Sequence, residues 1–219
     1  MAHIAENLLL LLLDNAEAQP RIARSPLERA LAAALILDLA FECRVRPALA
    51  DEPVPTGLLV ALAGQIPMDP ALRPALALLE QQPIAPSAAI ARIRRHAEDD
   101  VLDQLLRTGQ IHQIQLTAHR LRRNHYRWPV KNRGRVAVAR SELLSALFER
   151  RRPQPVTAAV IGLLYAVGAL DAVLALNDAG MRVAAERADE ITGGAWANES
   201  DTAEINLTRT ITAVLPALH

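Results

Sequence analysis

Six consecutive leucines, Leu8 to Leu13, closed by Asp14, constrain this chain more than any other feature. With Ile4 they form a first helix or a buried apolar segment. The run falls far short of the roughly 20 apolar residues that cross a bilayer as a helix. The rest of the chain must therefore supply a core around it. With 219 residues it is long enough to do so. Aromatic residues are only 3% of the sequence, so that core is built from Ala, Leu, Val and Ile. Ala and Leu are strong helix formers, and the composition points to a mainly α fold.

The expected organisation is a compact helical bundle forming one domain over residues 1–219. Ser25-Pro26-Leu27-Glu28 is a helix start, with Ser25 as cap, and that helix runs to about Glu42. After a Pro-rich linker, short helices are expected from Thr56 to Gly64 and from Asp69 to before Pro83. A long helix should run from Ser87 to Gly109. Further helices are expected near 136–150, 156–168, 170–178, 180–191 and 201–215. Val156 to Leu176 alone has membrane length. Asp171 interrupts it and Gly162 and Gly168 weaken it, so it reads as a core helix.

After Gly109 the periodicity changes. Ile111, Gln113, Gln115 and Thr117 alternate with His112, Ile114, Leu116 and Ala118. The chain again looks extended near Tyr126 and Trp128 and is stopped by Pro129. A protruding β-hairpin over about 111–128 follows from this pattern. The net charge of the chain is zero, yet His119 to Arg152 holds eleven basic residues against Glu142 and Glu149. Such a distribution implies a face that meets something anionic. Arg120, Arg122, Arg123 and Arg127 alternate with Tyr126 and Trp128 on the hairpin. Arginine grips phosphate bidentately, and Tyr and Trp settle at a membrane interface. Aromatics can also stack on nucleic acid, which is the less favoured reading.

Three stretches resemble the Golgi phosphoprotein 3 family in its bacterial branch: Ala5 to Asp14, Ala34 to Val45, and Leu105 to Ile111 continuing through Arg127 to Val130. In the second, Cys43 stands where the family usually has glycine. The resemblance implies a helical domain with a hairpin used for membrane contact and self-association. Eukaryotic members bind phosphatidylinositol 4-phosphate on Golgi membranes and link glycosyltransferases to vesicle sorting. The family's phosphate site uses a tryptophan, an arginine on the second helix and two arginines before the hairpin. Here these positions fall at Ile22 or Ala23, at Ala32, at the matching Arg95, and at Glu98. Arg24, Arg29 and Arg94, with Arg21, are the nearby cations that stand in for what is lost.

One motif competes with this reading. Asp99-Asp100-Val101-Leu102-Asp103 matches the Asp-Asp-x-x-Asp pattern of Mg²⁺-dependent prenyl-diphosphate enzymes. Asp99 and Asp103 share a helix face and can bridge a hard cation, with Arg95 one turn before them. No convincing second metal motif accompanies it, and no nucleophile elbow, P-loop or dinucleotide fingerprint occurs. The expected function is thus a peripheral module for phosphoinositide or other anionic lipid, or for a protein partner. It needs no cofactor and can self-associate through the hairpin. The alternative is a terpene synthase-like enzyme using Mg²⁺. The lone Cys43 and the lack of a basic, cleavable stretch at the start of the sequence fit an expected location in the cytoplasm, and the basic hairpin fits one at the membrane surface.

Overall fold

In a computed structural model, described over residues 4–115, 126–198 and 200–218, the leucine run is helix α1 (Ile4–Leu13). All six leucines are buried. α1 is surrounded by α2 (Arg24–Phe41), α5 (Ala97–Arg107), α6 (Arg133–Phe148), α7 (Pro155–Ala166) and the short α8 (Leu170–Val173). A uniformly apolar helix can persist only in such a sheath, because each exposed leucine would forfeit about 2 kcal/mol of burial. Asp38, in the buried face of α2, fastens its start. Its side-chain oxygens accept hydrogen bonds from the backbone N–H groups of Ile4 at 2.7 Å and Ala5 at 3.0 Å. An acid from a distant helix thus satisfies two amides that the first turn of α1 leaves without intrahelical partners.

The remaining helices are α3 (Arg73–Leu79), α4 (Pro86–Ile93), α9 (Asp178–Thr192) and α10 (Thr202–Val214). One hydrophobic cluster joins residues from Ile4 to Leu218. Two small antiparallel sheets complete the described residues. β1 (Val45–Pro47) pairs with β2 (Leu59–Ala61), and β3 (Ile114–Gln115) pairs with β4 (Tyr126–Arg127).

Several elements differ from the sequence expectations. The segment expected as a helix from Thr56 contributes strand β2 instead. It lies between Pro55 and Gly64, is too short for stable helix propagation, and finds backbone partners in β1 and Ile84. The long helix from Ser87 is broken over Arg94–His96. The turn lets α4 pack on α3 while α5 packs on α1 and α2. Beyond α8 the chain is extended at Leu174, so no helix reaches 178 until α9 begins. Ser25 does not cap α2; the helix opens at Arg24, whose side chain bonds Glu28 at 2.5 Å. No helix among the described residues is long and apolar enough to cross a membrane.

Candidate functional site

The hairpin is fastened at its base. The Trp128 backbone N–H donates to the Ala18 carbonyl at 2.8 Å, and Gln19 Nε2 donates to the Tyr126 carbonyl at 3.1 Å. His112 N–H donates to the Pro129 carbonyl at 2.9 Å, and Ile111 bridges Val130. The register places Ile114 opposite Arg127 and Gln115 opposite Tyr126. Because successive side chains on a strand face opposite ways, the hairpin separates two surfaces.

On one side, Tyr126 and Trp128 stack with ring centroids 5.9 Å apart and tilted by 41°. They line a cleft of about 340 Å³ together with Ile22, Arg24, Leu27, Glu98 and Asp99. Trp128 is half-buried and packs on the core. Among the described residues lining this cleft, Arg24 is the one cation. Its guanidinium is held by Glu28 and feels Glu98 and Asp99 as well, and together they raise its pKa. Burial pushes the Glu98 carboxyl above its usual range, with Arg24 opposing.

On the other side, a cleft of about 210 Å³ is lined by Ile114, Arg127, Pro129, Val130, Arg133 and Asp14. Asp14 is already held by Arg140 at 2.8 Å. Arg127 and Arg133 pair with no carboxylate among the described residues. Ile114 is 49% exposed, which leaves an apolar rim beside these two cations, while Tyr126, 40% exposed, belongs to the opposite side.

The sequence profile of Golgi phosphoprotein 3 (GPP34) matches residues 4–206. The chain belongs to the Golgi phosphoprotein 3 family. Among curated proteins, no sequence matches it significantly.

In this Golgi phosphoprotein 3 domain the residues expected for phosphate binding do not all line one cleft. Arg24 lines the aromatic cleft, whereas Arg29, Arg94 and Arg95 do not. Arg95 is exposed, and Arg29 and Arg94 are half-buried. Glu98 and Asp99 give the cleft more acids than bases, an arrangement that repels a phosphate. Of the hairpin residues, Tyr126, Arg127 and Trp128 are placed as above; Arg120, Arg122 and Arg123 lie outside the described residues.

The aspartate motif is divided. Asp99 faces the aromatic cleft, while Asp100 and Asp103 line a separate open depression with Pro70, Ala71 and Arg107. Asp99 and Asp103 are exposed. Among the described residues no group of three or more His, Cys, Asp or Glu side chains is arranged to hold a metal ion.

The basic stretch from His119 to Arg152 is also not one face. α6 carries Arg135 and Arg140 back to α1, where they pair with Glu6 at 2.6 Å and Asp14 at 2.8 Å. Arg150, Arg151 and Arg152 lie beyond the far end of α6, about 24 Å from its start at about 1.5 Å per residue. Sequence reasoning missed Arg133 as a partner of the hairpin. Its proximity follows from the step from β4 to α6, which only the turn at Pro129 and Val130 defines.

Proposed function

We propose that this Golgi phosphoprotein 3 domain is a peripheral module that docks on anionic membrane lipid through the hairpin face carrying Ile114, Arg127 and Arg133. The observation that carries this reading is the exposed Ile114 beside two arginines that have no carboxylate partner among the described residues. An apolar side chain beside free guanidiniums suits the interface, where the side chain enters the headgroup layer and the cation meets phosphate. Arg120, Arg122 and Arg123 extend the same basic and aromatic sequence. Each arginine near an anionic surface contributes about 1 kcal/mol, roughly a fivefold change in partitioning. Family membership supports a lipid-associated role. Phosphoinositide selectivity would require donors other than those of the acid-lined cleft.

Flotation with vesicles containing phosphatidylglycerol, against vesicles of phosphatidylcholine alone, tests the reading. Recovery should need the anionic lipid, fall as salt is raised, and drop about fivefold in Arg127→Gln and again in Arg133→Gln. Equal recovery with both vesicle types, or no loss in either variant, removes it. A Mg²⁺-dependent reaction on a prenyl diphosphate has no comparable support, since its three aspartates face two different depressions.

A further inference from the structure

The arginine triplet at the end of α6 forms part of a second charged cleft, remote from the hairpin. Arg150 and Arg152 line it with Arg187 and Glu190 of α9 and with Trp196 and Asn198 of the segment leading to α10. Its volume is about 710 Å³. Arg151 turns away to Glu149 at 2.9 Å.

Two of the guanidiniums are each held by one backbone carbonyl and one carboxylate. Arg152 Nε donates to the Trp196 carbonyl at 2.8 Å while its terminal nitrogen meets Glu204 at 2.9 Å. Arg187 Nε donates to the Ala146 carbonyl at 3.2 Å while its terminal nitrogen meets Glu190 at 2.6 Å. Arg150 reaches that same Glu190 only at 3.7 Å, beyond hydrogen-bond distance. One carboxylate is therefore shared by two cations. A guanidinium offers five donors, so unused N–H groups remain on all three arginines. Arg150 also has φ +53°, the left-handed region at the end of a helix that favours glycine. An arginine is held there against its backbone preference, at the mouth of a cleft already lined by two others.

We propose that this cleft binds a phosphate monoester, with Arg150, Arg152 and Arg187 as its donors. Forked guanidiniums match the oxygen spacing of phosphate, and the three arginines outnumber the two carboxylates that hold them, Glu190 and Glu204. The volume leaves room for the organic part of the ester. The site stands apart from the hairpin face and does not depend on the membrane reading.

Calorimetric titration with inorganic phosphate and with glycerol phosphate, at ionic strength held constant with sodium chloride, tests it. Both should bind, and Arg150→Gly and Arg187→Gln should each weaken binding about tenfold. Arg150→Gly should keep or raise the thermal midpoint, because glycine suits that backbone, so loss of binding there is not loss of folding. No heat from either ligand at constant ionic strength overturns the proposal, as does binding unchanged in both variants. Vesicles carrying phosphatidic acid identify the source. Capture that falls in Arg150→Gly assigns a lipid headgroup, whereas binding of glycerol phosphate with vesicle capture unchanged in that variant assigns a free metabolite.

Discussion

Among the described residues, Asp38 is the carboxyl that burial shifts furthest. Burial pushes its carboxyl up to about 8, against the pull of the Ile4 and Ala5 N–H groups. In the unfolded chain an aspartate titrates near about 3.9. Between these values the folded protein holds a proton that the unfolded chain has lost, so stability falls as pH rises. The contribution is complete below about pH 4 and is gone once the pH passes about 8. The urea midpoint should therefore be higher at pH 5.5 than at pH 8.5, and Asp38→Asn should flatten the difference. Burial raises Glu98 and Asp100 in the same direction, so some slope will survive that variant. Cys43 tells a different story at the same scale. Its φ of +54° explains why the family pattern has glycine there, and Arg44 beside it is buried, donating to the Leu62 carbonyl at 3.1 Å. Cys43→Gly should stabilise the protein by about 1 kcal/mol, the strain relieved exceeding the added freedom of the unfolded chain; calorimetric melting reads it.

Among the elements, α6 does most to organise the site. Arg135 near its start lies against the buried Glu6 of α1. Arg135→Ala would strand that carboxylate and should cost about 2–3 kcal/mol in equilibrium unfolding, far more than an exposed ion pair. A smaller loss, about 1 kcal/mol, is expected for Asp201→Ala, since Asp201 caps α10 through the N–H groups of Ala203 and Glu204. Elements whose signal is local were legible in the sequence. The leucine run marked α1, the Pro26 start and Ala/Leu composition marked α2, and period-two alternation after Gly109 marked the hairpin. β1 and β2 were not, because strands of three residues exist only through each other and Ile84, which no local pattern encodes. The break at Arg94–His96 was hidden because both flanking helices have the same apolar period. Arg127 and Trp128 were readable from interleaved arginine and aromatics. That they face opposite clefts follows from strand register.

At the scale of the whole molecule, the described arginines of the basic stretch lie near the two ends of α6, and between them Arg135 and Arg140 pair with Glu6 and Asp14. Sites this far apart, with no shared partner, should respond additively. A protein carrying both Arg133→Gln and Arg187→Gln should show the vesicle defect of the first and the phosphate defect of the second, neither enlarged. The central placement of α1 also bears on how the chain is made. α1 leaves the ribosome before α6 and α7, which cover much of it and are synthesised more than a hundred residues later. At about 5–20 residues per second its leucines wait on the order of 10 s with only α2 and then α5 for shelter. Nascent chains stopped before α6 should therefore engage chaperones or aggregate, and the full chain escapes that fate only when its second half arrives to close around the first helix.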